Sequence, residues 1–410
     1  MKMHLLALLA WLAVTVAAHG AEFTPVVGWE GQIYPSFVIS SARMKNPGWV
    51  DQDRTDTLGD KGGLIGVRLK SPRTKTPIKV TITCDDIMEP STFSGTLPEA
   101  NVEYLVLPAI RYRYAKLAEF NQATPVSMTF RVQVGTASPQ EETATATVRS
   151  INDCPFAVQE GERSLDIACV FAAYVNEQHP FIDKLLREAL DGGVVAAFTG
   201  YQQDEAEVVR QVYALWDLLV ERDVRYSSIT ATAVDSESVW CQHVRLIEES
   251  LNNSQANCVD GSVLFASLLR KIGIEPFLVL VPGHCYVGFY LDAERQHPIA
   301  LETTLLGAVV DEDEQDEAPE FLEDAVDEDR RGEISWPSFC LAVATGMANF
   351  EEHEAEFAAA DATEYVVIEI AAARKAGIMP IAYRGREKFV ALVRAPADDG
   401  DDDETADADE

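Results

Sequence analysis

The chain changes its hydrophobic period once, at Asp153-Cys154-Pro155, and that change divides what can fold on either side. Before it, apolar and polar residues alternate in short runs such as Gly63 to Leu69, Ile78 to Thr83, Tyr104 to Leu107, Val126 to Val134 and Ala144 to Arg149. A period of two over runs of this length is the pattern of a strand with one buried face. Several such strands with no convincing helix between them predict a β-sandwich of immunoglobulin-like size over residues 21–155, without the Cys/Trp/Cys signature of true immunoglobulin domains. After the break the period becomes helical. Pro180 falls in the first turn of a helix whose apolar face is Ile182, Leu185, Leu186 and Ala189, ended by Gly192-Gly193. A second helix, from about Asp204 to Glu221, puts Val208, Val212, Leu215, Trp216 and Leu219 on one side. A further helix near Ser338 to Phe350 and an apolar strand from Tyr365 to Ile370 complete a second domain over residues 156–395. The expected class is α+β, and no internal repeat is present.

Charge narrows the partners. The chain has 67 acidic and 33 basic residues, a formal net charge of −34, with acids concentrated between Asp311 and Asp329 and between Asp398 and Glu410. Both blocks are too polar to bury a core, so residues 308–332 are expected to be a disordered, solvated insert and residues 396–410 a disordered tail. A surface of this sign repels phosphate backbones, and no run of five basic residues offsets it, so nucleic acid is excluded as a partner. Lys2, the apolar run from Leu5 to Ala18 and the small residues Ala18 and Gly20 read as a signal peptide over residues 1–20. That run is shorter than the ~20 residues of a membrane-spanning helix. No later segment qualifies, so the mature chain is expected to lack an integral membrane segment and to be exported, to the periplasm or the extracellular space. Seven cysteines are too few for a disulfide scaffold in a chain of this size, and their odd number leaves at least one thiol.

The chemistry lies between residues 257 and 304. From Val259 to Ile272 the sequence is apolar nearly all round, with Arg270 and Lys271 in the last turn and Gly273 where a C-cap belongs. This is a buried helix opened by Cys258. The backbone N–H groups and dipole at such an end favour a thiolate and also face the oxyanion that forms when sulfur attacks a carbonyl. Next come a β-run, Phe277 to Val281, a Pro282-Gly283 turn and a strand starting at His284. This hairpin returns His284 toward the start of the helix, where imidazole can take the thiol proton and later protonate a leaving amine. The strand from Ile299 to Thr304 offers Glu302, a carboxylate among apolar residues that needs a partner and can orient the ring. His179, His243, His297 and His353 fit no such arrangement. Cys258, His284 and Cys285 lack the paired spacing of a zinc site, no HExxH occurs, and the acidic runs lack the ligand spacing of a calcium loop. No metal or cofactor is expected.

Cysteine, histidine and carboxylate on a helix terminus and two successive strands resemble the transglutaminase-like superfamily, in the variant found in exported bacterial proteins. The resemblance covers about residues 165 to 305. It implies a papain-type fold with Cys258 as nucleophile, His284 as base and Glu302 as third member. Two departures stand out: Glu302, in Glu-Thr-Thr, occupies the place of the family's usual Asp, and Cys285 follows the histidine where a small or aromatic residue is usual. Related folds place an indole or a Gln amide near the oxyanion, which makes Gln242 the candidate second donor, with Gln255 and Trp240 as competitors. The implied activity is attack on amide bonds of a peptide or protein substrate through an acyl-enzyme. Its acceptor is water in a peptidase or amidase and an amine in a transglutaminase-type acyltransferase. The alternative is a catalytically inactive binding module. The residues do not choose an acceptor, which depends on how loops shield the acyl-enzyme from water, and they set no oligomeric state.

Overall fold

The computed structural model describes residues 22–45, 47–228, 236–310, 319–359 and 364–394. The expected signal peptide, the acidic tail and residues 311–318 of the insert lie outside them. Helices and several mostly antiparallel sheets make this an α+β protein, and it divides into two compact units. Among the described residues, the first comprises 22–39, 44–167 and 236–241, and the second comprises 40–43, 168–228 and 242–394.

In the first unit the period-two runs become strands of two main sheets. One orders Phe23–Val27, Ile65–Lys70, Glu103–Leu107 and Thr57–Gly59, and the other orders Gln32–Ile33, Gln140–Val148, Thr124–Val134, Thr76–Thr83 and Ser91–Leu97. Alternation translates directly into burial: Ile78, Val80 and Ile82 are buried while Lys79 is exposed. The register sets Phe130 opposite Ile82, Val132 opposite Val80 and Val134 opposite Ile78, so buried apolar residues face one another across the strands. Asp153–Glu160 and Arg163–Asp166 belong to this unit as a hairpin.

The second unit is built on a four-stranded antiparallel sheet, ordered Pro298–Leu301, His284–Tyr290, Pro276–Val281 and Val366–Glu369. The two central strands are apolar without alternation because both of their faces are covered. The Cys258–Lys271 helix packs against the His284–Tyr290 strand, and the Ser335–Glu352 helix against Pro298–Leu301. Gly346 makes the second contact possible, since a Cβ there would stand 2.6 Å from the backbone of Ala300. Glu205–Glu221 starts at Asp204, whose side chain accepts the Glu207 N–H at 3.0 Å, and its buried Trp216 donates Nε1–H to Ser338 Oγ at 3.1 Å. Pro180–Gly192 is capped by His179, whose Nδ1 accepts the Phe181 N–H while Nε2 meets Glu248 at 3.0 Å. His179 is thus a helix cap with both ring nitrogens used.

The expected solvated insert over residues 308–332 requires correction. Within it, Glu320–Glu323 is helical and Glu328–Arg330 forms a 3₁₀ turn, and Leu322, Ala325 and Val326 are buried. The Arg210 Nε–H donates to the Ala325 carbonyl at 2.8 Å, and the Arg331 Nε–H to that of Val326 at 2.9 Å. Three apolar side chains anchor the stretch despite its charge. No helix among the described residues is long and apolar enough to cross a membrane.

Candidate active site

Cys258 is the first residue of its helix, and its surroundings explain why the helix starts there. Asn257 is the N-cap: its Oδ1 accepts the Asp260 N–H at 2.8 Å, and Asp260 Oδ2 accepts the Asn257 N–H at 3.0 Å. This reciprocal capping box satisfies two of the donors a helix start leaves open. The N–H groups of Cys258 and Val259 remain directed out of the helix end, with no acceptor among the described residues. Asp260 is wholly buried and paired with Arg245, which donates its backbone N–H to Oδ1 and Nη1–H to Oδ2, both at 2.7 Å. A buried ion pair therefore holds the end of the helix that carries the thiol.

His284 reaches the same point from the hairpin. Val281 pairs with His284 across Pro282-Gly283, and Gly283 has φ +76°, the left-handed value a Pro-Gly type II turn demands of its third residue. Glu302 lies one residue past the Pro298–Leu301 strand and caps the 3₁₀ turn Thr303–Leu305. His284 Nε2–H donates to Glu302 Oε2 at 2.6 Å, while Glu302 Oε1 accepts the Thr304 N–H at 3.0 Å and the Thr304 hydroxyl at 2.7 Å. Glu302 is buried, and the His284 side chain keeps about a third of its surface exposed. With Nε2 engaged, Nδ1 is the nitrogen left for sulfur, and Cys258 interacts with the ring. That contact first, and the Glu302 hydrogen bond second, raise His284 to about 10 against the opposing effect of burial. The imidazolium is thereby favoured at neutral pH.

The structure thus brings Cys258, His284 and Glu302 together, and Gly261 allows it. A Cβ at Gly261 would stand 2.9 Å from Thr303 Oγ1, so the segment carrying Glu302 seats against the first turn of the cysteine helix only without one. Ser262 Oγ lies 3.3 Å from Thr303 Oγ1 in the same contact. Cys285 is wholly buried, points toward Ser262, and has its thiol pushed well up by burial and by Cys258, so it stays protonated.

The proposed second oxyanion donors fare differently. Gln242 Nε2 donates to the His243 carbonyl at 3.2 Å, Gln255 is exposed on a short strand, and Trp240 is exposed in the first unit. Sequence reasoning passed over Asn257. It is buried, and its Nδ2 has no partner among the described residues, one residue before the thiol and at the open end of the helix. The signal was present as Asn-x-x-Asp, the spacing of a capping box. Elsewhere, Glu205, Asp292 and His297 have ligand atoms close enough for a metal. Asp292 already accepts the N–H groups of Gln296 and His297, and His297 Nδ1 meets Glu205 at 2.6 Å, so these groups tie a loop to a helix start. Compared with known proteins, the chain matches no family model and no curated protein.

Proposed function

We propose that the second unit is a papain-type, transglutaminase-like thiol enzyme that attacks amide carbonyls, carried by an exported chain whose first unit is an immunoglobulin-like β-sandwich. The observation that carries this reading is a single imidazole that meets a buried carboxylate at 2.6 Å and interacts with a thiol at the start of a capped helix. With His284 already holding a proton on Nδ1, the sulfur of Cys258 adds as thiolate to the carbonyl carbon. The oxyanion is met by the open N–H groups of the helix end and by Asn257 Nδ2. Collapse breaks the carbon–nitrogen bond, His284 gives its proton to the departing amine, and a thioester remains on Cys258. A water or an amine, deprotonated by the now neutral His284, attacks the thioester and releases the thiol. Glu302, fixed by Thr304, holds the ring in one orientation and balances its charge throughout.

The test is alkylation of Cys258 by iodoacetamide in the native protein at pH 7, each cysteine followed by peptide mass. Cys258 should react first, Cys258→Ala should remove that label without unfolding the protein, and His284→Ala should slow it about tenfold. A Cys258 that reacts only after denaturation ends the nucleophile assignment. A slow rate indifferent to His284→Ala points instead to a non-catalytic module.

A further inference from the structure

The first unit contains a cavity of about 460 Å³, every lining residue of which belongs to that unit. Its volume is that of a small-molecule site. One wall is aromatic: Trp29 lies 4.6 Å from Phe37, tilted 59°, and Phe37 lies 6.0 Å from Trp49, tilted 50°. The backbone that sets Trp29 there is left-handed over three successive residues, with φ +54° at Trp29, +58° at Glu30 and +76° at Gly31. For side chains other than glycine this conformation is disfavoured, and it persists where surrounding bonds impose it, commonly at ligand clamps. Here Glu30 accepts the Ser236 hydroxyl at 2.9 Å, the Gln32 N–H donates to the Trp29 carbonyl, and the Gly28 N–H to that of Leu64 at 2.7 Å.

The charge at this cavity runs against that of the chain. Arg54, Lys61, Arg68 and Arg163 line it, against the acids Asp51 and Glu160, in a protein of net charge −34. Arg163 has no ion-pair partner among the described residues. Arg54 and Arg68 meet exposed Asp56 and Glu103 at 3.5 and 3.4 Å, solvated contacts that hold little energy. Lys61 donates to the Gln52 carbonyl in an exposed contact, so an anion entering the cavity finds Arg163 without an ion-pair partner among the described residues and three cations held by solvated contacts.

We propose that this cavity binds an anionic sugar. Rings tilted by 50° to 59° form a curved wall and not a parallel slot, which suits a puckered saturated ring better than a flat base. The negative faces of the aromatic rings attract the C–H face of such a ring. Asp51 and Glu160 accept its hydroxyls, and Arg163 with its neighbours takes a carboxylate or phosphate. The inference is independent of the thiol chemistry in the other unit.

The test titrates the full-length protein with glucuronate, glucose 6-phosphate, glucose and inorganic phosphate, reading tryptophan fluorescence and heat. The expected result is saturable binding of one anionic sugar, at least about tenfold tighter than glucose or inorganic phosphate, the favoured sugar identifying carboxylate or phosphate as the anion. Arg163→Ala and Trp49→Ala, both changed at side chains with exposed surface, should each weaken it about tenfold without lowering Tm. Absence of saturation up to about 10 mM, equal binding of inorganic phosphate alone, or full affinity in both variants overturns the proposal.

Discussion

Replacing Glu302 by Gln tests the site through a single atom. Thr304 binds Oε1 through both its N–H and its hydroxyl, so the new side chain keeps its carbonyl oxygen there and turns its NH₂ toward His284. An amide donor facing Nε2 forces that nitrogen to accept, and the ring proton moves to Nδ1, the side facing Cys258. The imidazole then has no lone pair for the thiol proton. An ordinary thiol of pKa about 8.5 is roughly 3% thiolate at pH 7, so losing the base can slow alkylation by at most about 30-fold. A more basic thiolate is also more nucleophilic, which brings the expected loss to about tenfold. Turnover of an amide, which needs the ring both as base and as acid, should fall much further, toward the ~10⁴ that a wrong tautomer costs in a serine triad. Glu302→Asp keeps the charge and retracts it by one methylene, so alkylation should fall only about threefold. Stability follows the same group. His284 is raised from 6.5 to about 10, so its contribution is complete below about pH 6.5 and is lost as pH rises through about 10. The stability gap between wild type and the Gln variant should therefore close in that window. Alkylation of the Gln variant within twofold of wild type, or equal losses in Gln and Asp, refutes the reasoning.

Three further variants probe the scaffold around the thiol. Asn257→Ser keeps a good N-cap oxygen and removes only the unpartnered amide. Its capture of N-acetylglycinal as a hemithioacetal, whose oxygen sits where the oxyanion would, should weaken about 100-fold while iodoacetamide alkylation holds, and unchanged capture removes Asn257 from the site. Arg245→Met leaves the wholly buried Asp260 carboxylate without its cation and should cost about 3–5 kcal/mol in urea unfolding, with a loss below about 1 kcal/mol counting against the brace. Gly261→Ala should cost about 1–3 kcal/mol by pushing Thr303 off the helix, and adding Thr303→Ala should restore part of it. No recovery in the double variant would mean that the strain lies elsewhere.

Much of this site is local in sequence, which is why it could be read there. The hydrophobic period places the cysteine helix within a residue of its observed start and the helix expected from about Asp204 within a residue of Glu205, and Pro282-Gly283 names the turn. What escaped is of two kinds. The Arg245–Asp260 pair joins residues fifteen apart through a fold that no periodicity encodes. The acidic stretch hid a local signal instead: Leu322, Ala325 and Val326 stand at the i, i+3, i+4 spacing of one helical face, and averaging the charge around them concealed three buried side chains. Cys285 follows from the pleat, since its position on the strand turns it inward to Ser262 on the cysteine helix.

Glutamate at position 302 follows from where the strand ends. Leu301 is the last residue in the ladder, and the chain turns at once into the 3₁₀ helix that Glu302 caps. The carboxylate has two duties, one oxygen on Thr304 beside its own backbone and the other 2.6 Å from an imidazole on the neighbouring strand. The glutamate stem spans both. A shorter acid at the same Cα would hold the cap and lengthen its bond to the ring, or keep the ring and leave the 3₁₀ turn uncapped. The extra methylene is thus the local solution to placing a carboxylate on both Thr304 and His284 from beyond the end of its strand.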